Sequence, residues 1–195
     1  MATWYHQAQH DPQLVLLCGD SAIVSLLPTI TRCWTRIGQQ RTIATPGVKA
    51  EKQWDWGAVD VITGTTLHLL HPRRNNVGIR RLLAAIARRY ELANHPERQV
   101  ILVLDNDMAH KAKVVQRLLA KHDSQIRIEW LPAYSPELNP QEDIWQHMRR
   151  RVTHNYYFED MQHLTGAVNG FHQELQSCPQ QVLQIISKWT YIIAG

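Results

Sequence analysis

Two aspartates each follow an unbroken apolar run. Asp20 comes after Leu14-Val15-Leu16-Leu17-Cys18-Gly19, and Asp105 comes after Val100-Ile101-Leu102-Val103-Leu104. If these runs are strands of one open α/β sheet, side chains at their ends look into a shared crevice. Carboxylates converging there make an all-oxygen site, the donor set that Mg²⁺ accepts together with waters and substrate phosphates. Two such ions activate the attacking oxygen and stabilise the leaving oxygen in a phosphodiester displacement, so the chemistry implied is metal-dependent phosphoryl transfer. A third acid on a nearby helix would complete the set. An aspartate after a strand also serves as a helix N-cap or turn former, and spacing alone does not separate the two uses.

The elements that must position these acids are read from periodicity. Leu14 to Cys18 reads as a buried strand ended by Gly19-Asp20. Trp54 to Ile62 and Thr65 to Leu70 are β-rich runs joined by Thr63-Gly64, a hairpin. After Asn75-Asn76, Ile79, Leu82, Leu83, Ile86 and Tyr90 recur at helical spacing, with Arg80, Arg81, Arg88 and Arg89 largely off that stripe; Pro96 stops the segment. Val100 to Leu104, apolar on both faces, belongs in the middle of a sheet. Ala112, Val115, Leu118 and Leu119 mark a second helix, and Ile126 to Leu131 a last strand. Asn139 as N-cap and Pro140 at the first helical position start a helix running to about Val152. A helix from about Glu159 to Leu175 and a short one near Val182 to Trp189 close the chain. The expected fold is α/β: a mixed sheet, an antiparallel hairpin group plus parallel strands, flanked by helices. It is compatible with a ribonuclease-H-like architecture, although element order alone allows other α/β folds.

Composition narrows the function classes. A chain of 195 residues has room for one domain, and 44% hydrophobic residues with seven Trp argue against disorder. Twenty-one Lys+Arg against 17 Asp+Glu give a net charge of +4, a modest excess that suits a polyanionic partner without requiring one. Three cysteines without a C-x-x-C pair argue against a disulfide framework and a cysteine zinc site, so a reducing, cytoplasmic setting is expected. The one candidate membrane stretch, Pro12 to Thr31, carries Asp20 near its middle and Pro28, and no membrane association is expected. No P-loop, dinucleotide fingerprint or G-x-S-x-G motif is present. His68 and His71 are one residue out of register for a shared strand face, and zinc at eleven scattered histidines is not expected. Trp54 and Trp56 share a face and are available to stack bases, though such pairs more commonly belong to the core.

Leu104 to Lys111 reads L-D-N-D-M-A-H-K, and Trp130 to Trp145 reads W-L-P-A-Y-S-P-E-L-N-P-Q-E-D-I-W. Together they closely resemble the DDE transposases of the mariner superfamily, in particular its bacterial insertion-sequence branch. That family's pattern is a strand, Asp-Asn and a His a few residues on, then Leu-Pro-x-Tyr-Ser-Pro-x-Leu-Asn-Pro-x-Glu with a Trp three residues after the Glu. Each position is present here. Asp20 to Pro28, D-S-A-I-V-S-L-L-P with Trp34 following, resembles the region around the family's first catalytic Asp. The resemblance runs from about Leu14 to Val152. It implies Asp20, Asp105 and Glu142 as the catalytic triad and the ligands of two Mg²⁺ or Mn²⁺ ions. It also implies a ribonuclease-H-like fold, and DNA cleavage by water followed by joining through a DNA 3′-hydroxyl. On a helical wheel Ile144, Met148 and Val152 form a core stripe, and Glu142 lies roughly a third of a turn away, so it can face a crevice.

Asn106, His110 and Asn139 match the motif as accessory positions, and each also has an ordinary use as turn former or cap. Ser21 stands where the family often carries Glu, so Asp20 rests on the S-L-L-P register and Asp60 is its main rival. Asp107 and Asp143 read as solvated helix-start charges. Arg73, Arg74, Arg149, Arg150 and Arg151 are candidate phosphate contacts, the last three beside the motif glutamate. Residues 1–195 are expected to form a single catalytic domain, with a core at about 14–152 and C-terminal helices over 153–195. The family's N-terminal helix-turn-helix domain is expected to be absent. The implied partners are double-stranded DNA (element ends and target) and a second copy or a partner supplying the helix-turn-helix part, with nucleoid association when DNA is bound. The alternative expectation is an inactive, truncated transposase acting as a DNA-binding or partner-binding regulator. A third is a structure-selective nuclease on the same fold.

Overall fold

The computed structural model describes residues 1–45, 51–105, 117, 119, 125–133 and 135–194. Five strands form one sheet: β1 Leu14–Ser25, β2 Lys52–Asp60, β3 Thr66–His71, β4 Gln99–Leu104 and β5 Ile126–Trp130, in the order β3-β2-β1-β4-β5. β2 pairs antiparallel with β1 and β3, whereas β4 lies parallel to β1 and β5 parallel to β4. The described helices are α1 Ala2–His10, α2 Asn76–Arg89, α3 Pro140–Met148, α4 Met161–Ser177, α5 Pro179–Ile185 and α6 Ser187–Ala194.

The period-two alternation of the strands divides the core into two layers. Leu16, Cys18, Ala22, Val24, Val59, Ile101 and Val103 face a cluster built with Tyr5 of α1, Ile144, Trp145 and Met148 of α3, and Leu164, Val168, Phe171 and Leu175 of α4. Val15, Leu17, Trp56, Ala58, Val100, Leu102 and Leu104 face the other way, onto Ile79, Leu82, Leu83 and Ile86 of α2. The apolar run of β4 therefore feeds both layers, as expected of a central strand. Trp56 is wholly buried and belongs to this second layer, not to a base-stacking surface. Gly78 makes room for it, since a Cβ there would fall 2.2 Å from the indole.

The observed elements depart from expectation at several ends. β1 does not stop at Gly19-Asp20; it runs on to Ser25 because β2 pairs with it down to Ser25↔Lys52. Its parallel ladder with β4 does stop, at Cys18↔Val103, so Asp20 lies just past the point where one neighbour ends. The expected helix to Val152 is α-helical only to Met148 and then widens into a π-type turn, Arg149–Thr153, in which His154 N–H donates to Arg149 O at 2.7 Å. That wider turn lets His154 form an isolated parallel bridge with Thr29. The closing helix is two, α5 and α6, meeting at buried Ile186, and Trp189 donates its indole N–H to Leu138 O at 2.8 Å. α1 precedes the first expected strand and packs Tyr5 edge-on against Trp189. The helix expected around Ala112 to Leu119 falls outside the described residues, residues 117 and 119 apart.

Candidate functional site

Sheet register brings the first two acids together. β1 and β4 match Cys18 with Val103, and two residues further along each strand stand Asp20 and Asp105. A step of two keeps both on the α3 and α4 side of the sheet, on strands about 4.8 Å apart. Asp20 is 7% exposed and Asp105 half-buried.

The third acid comes from α3, and the start of that helix is tied to β1. Asn139 is buried; its Oδ1 accepts the Gln141 N–H at 3.2 Å as an N-cap, and its Nδ2 donates to the Gly19 carbonyl at 3.2 Å. One side chain thus fixes the helix terminus against the residue preceding Asp20. Glu142 follows in the first turn, where a negative charge is favoured by the helix dipole. It borders a crevice of about 320 Å³ lined also by Asn139, Asp143, Gln146 and Lys188.

Two donors hold the carboxylate of Asp20: the Ser21 N–H on Oδ1 at 2.6 Å and the Trp145 indole N–H on Oδ2 at 3.2 Å. The Asp20 carboxyl is nonetheless pushed up to about 7. Burial is the largest cause and the charge of Glu142 the next; the Ser21 N–H opposes them, and Asp105 and a side-chain hydrogen bond with Glu142 add to the rise. A divalent cation would offset the charge that Glu142 and Asp105 bring to Asp20. An all-oxygen donor set with that need fits a hard divalent ion.

Trp145 has a seat because of a glycine. Asp20 pairs with Gly57 on β2 and Gly57 with His68 on β3, one row of residues on one face. Gly57 has no side chain, and the indole takes its place: a Cβ there would lie 2.7 Å from Trp145 Cη2 and 2.7 Å from Gln141 Nε2.

Asp60 is not part of this group. Leu17↔Asp60 register puts it on the α2 face, opposite Asp20. Its Oδ1 accepts the Ile62 and Thr63 N–H groups at 2.9 and 3.0 Å, and its Oδ2 accepts the Tyr90 hydroxyl at 3.0 Å, so it serves as a turn former. Asp143 is half-buried, and burial raises its carboxyl above the usual range. Arg73 and Arg74 are exposed after β3; Arg149 is half-buried, Arg150 exposed, and Arg151 pairs with Glu174 at 2.8 Å. Asn106, Asp107 and His110 lie outside the described residues.

A second cluster was not expected. Asp55 of β2, His68 of β3 and His172 of α4 bring three ligand-type atoms within 4.8 Å of one another and can coordinate a single metal ion. The hydrogen bond to His172 and the contact with His68 outweigh burial and hold the Asp55 carboxyl below its ordinary value, while burial lowers His172. His68 and His71 do not form a joint site: His71 Nδ1 lies 2.7 Å from the Arg73 carbonyl. No short motif links Asp55 to His172, 117 residues away, and only the fold reveals the cluster.

A mixed sheet in the order β3-β2-β1-β4-β5, with helices on both faces and acids just past the end of the β1–β4 ladder, defines a ribonuclease-H-like fold of the DDE type. The chain belongs to the DDE superfamily endonuclease family, whose match spans residues 15–165. It is 28% identical over 160 residues to the insertion element IS630 uncharacterized 39 kDa protein of Shigella sonnei, covering 82% of this chain and 45% of that one. The crystal structure of a pre-cleavage Mos1 transpososome matches with a TM-score of 0.68 at 17% identity, over 98% of this chain and 58% of that one. The mariner Mos1 paired end complex with Mg matches with a TM-score of 0.65 at 19% identity, over 99% and 58%. The chain thus spans about half the length of these relatives. Among the described residues no helix is long and apolar enough to cross a membrane.

Proposed function

We propose that the chain is the catalytic unit of an insertion-sequence transposase, cutting DNA strands at element ends and joining them to a target, with Asp20, Asp105 and Glu142 as its acids. The observation that supports this reading is geometric: Asp20 and Asp105 stand on one face of adjacent strands, and the helix bearing Glu142 is tied by Asn139 to the residue before Asp20. Two Mg²⁺ or Mn²⁺ ions held there would activate the attacking oxygen, water or a DNA 3′-hydroxyl, and stabilise the leaving 3′-oxygen. The chain's own part is placement: Ser21 N–H and Trp145 orient Asp20, and Asn139 fixes the helix that carries Glu142. Arg149 and Arg150, directly after that helix, are suited to phosphate contacts, which position DNA without reading sequence. Sequence reading is assigned to a helix-turn-helix part acting with this unit. A second copy is the expected partner, and the connection after β1 suits one: Trp34 and Ile37 are fully exposed there, and Thr31 N–H anchors its base to Asn155 Oδ1 at 2.9 Å.

Labelled element-end DNA incubated with the protein, Mn²⁺ and the helix-turn-helix part tests the proposal. Strand cleavage and joining are expected, lost in Asp105→Asn and Glu142→Gln variants that keep their fold. Absence of both reactions in the unaltered protein would refute the catalytic reading and favour a regulator.

A further inference from the structure

Strand transfer by carboxylate-held ions has no use for the cluster behind Trp145. Asp55 sits mid-strand in β2 with its side chain wholly buried. His172 Nε2 lies 2.6 Å from Asp55 Oδ2, and His68 Nδ1 lies 3.5 Å from Asp55 Oδ1. The two imidazoles stack, centroids 3.9 Å apart at 15°. The second contact is not a directed hydrogen bond: Asp55 Oδ1 and His68 Nδ1 are both buried without a hydrogen-bond partner, though they face each other. A buried carboxylate oxygen and an imidazole nitrogen in that relation are short of something between them.

We propose that Asp55, His68 and His172 bind one transition-metal ion of the zinc class, a structural site separate from the carboxylates that act on DNA. Two imidazole nitrogens and one carboxylate oxygen form a borderline-soft set that suits Zn²⁺, whereas Mg²⁺ takes oxygens. The spacing agrees. A tetrahedral ion with bonds of about 2.0–2.1 Å has ligand atoms about 3.4 Å apart, close to the 3.5 Å between His68 Nδ1 and Asp55 Oδ1. The His172 contact at 2.6 Å is a hydrogen bond, and binding would release its proton to solvent and lengthen the contact to that edge. The fourth position falls to water, reached past His68, whose side chain is 12% exposed against 0% for Asp55 and 2% for His172.

Its placement explains what the ion would do. The three ligands come from β2, β3 and α4, so one ion ties the long helix to the antiparallel side of the sheet. His172 also meets Trp145 edge-on, centroids 5.9 Å apart, and Trp145 donates to Asp20. The site therefore lies one indole away from the acid group and backs the residue that orients it.

Full-length protein stripped with a chelator and titrated with Zn²⁺ against a chromophoric competitor tests this, with Co²⁺ absorption reporting a tetrahedral site. One equivalent per chain is expected, with a rise in melting temperature that excess Mg²⁺ does not reproduce. His68→Gln, at the exposed edge, should weaken binding by more than the roughly 10–100-fold that loss of an outer-shell partner costs. His172→Gln should abolish it, and if that variant does not fold, His68→Gln alone decides. The Asp105→Asn/Glu142→Gln variant should bind Zn²⁺ unchanged, so a failed cleavage assay leaves this site standing. Zn²⁺ binding that is absent, indifferent to His68→Gln, or lost with the two acids would overturn the proposal.

Discussion

Asn139 makes two hydrogen bonds with different consequences, and a three-member variant series separates them. In Asn139→Ala the cap on α3 is lost, about 0.5–2 kcal/mol. The donor to the Gly19 carbonyl also goes, and a buried acceptor left without it costs about 1–3 kcal/mol. Together these give a loss of roughly 1.5–5 kcal/mol, which at about 2–4 °C per kcal/mol lowers the melting temperature by about 3–20 °C. Asn139→Ser keeps a capping oxygen and loses only the Gly19 contact, so it should fall between. Asn139→Asp also keeps the cap and would rank with Ser at an ordinary helix start. Here it adds a negative charge to a buried position beside Glu142 and the strand that bears Asp20, and it should be less stable than Ser. Urea unfolding followed by circular dichroism gives the three values. Mn²⁺ should recover more stability in Asp than in Ser, because the added charge lies near the acids proposed to bind ions. An Asp variant at least as stable as Ser in chelator, or an Ala variant within 0.5 kcal/mol of the parent on the scale set by capping losses, would refute this account of how α3 is held.

Gly57→Ala places a methyl 2.7 Å from the Trp145 ring and from Gln141 Nε2. The indole is pinned between Asp20 and His172 and cannot yield freely, so overpacking of about 1–3 kcal/mol is expected, with weakened Mn²⁺ binding at temperatures where the variant is folded; unchanged Mn²⁺ affinity would show that the seat over Gly57 does not matter. The pH dependence of the metal-free protein follows from Asp20. Its carboxyl, raised to about 7 from an ordinary 3.8, stays protonated in the folded chain where the unfolded chain has released the proton. That contribution to stability is complete below about pH 4 and is lost as pH rises through about 7. Mn²⁺ takes over the proton's role, so the rise in melting temperature on adding it should be small near pH 5 and large near pH 8; a gain independent of pH would contradict the raised carboxyl.

Local pattern made the central strand, the hairpin and the start of α3 legible. Val100 to Leu104 could only be a buried strand, and Asn139-Pro140 is a cap signal whose physics is local. Register is not local. Asp20 and Asp60 both end apolar stretches, and each could have been the first acid; one residue of slip in β1 against β2 would exchange their faces. Only the pairing of Asp20 with Gly57, and of Leu17 with Asp60, puts them on opposite sides of the sheet. The end of β1 is not legible locally for a related reason. Gly19-Asp20 reads as a stop, but the strand continues because a partner 30 or so residues later supplies its ladder, and such partners are invisible to periodicity. Asp55, His68 and His172 were hidden in the same way, brought together across three elements.

The glycine at 57 shows how register also gives meaning to a motif. In sequence, Gly in the middle of a strand marks only weakness or a close approach. In the row Asp20-Gly57-His68 it is an empty seat between an acid and an imidazole, and the seat must be filled from α3. Residues three apart on a helix share a face. A helix that delivers Glu142 to the acids therefore delivers Trp145 to that seat, with its indole N–H on Asp20. The spacing of Glu and Trp in the motif is the spacing this sheet requires, and neither residue alone would show it.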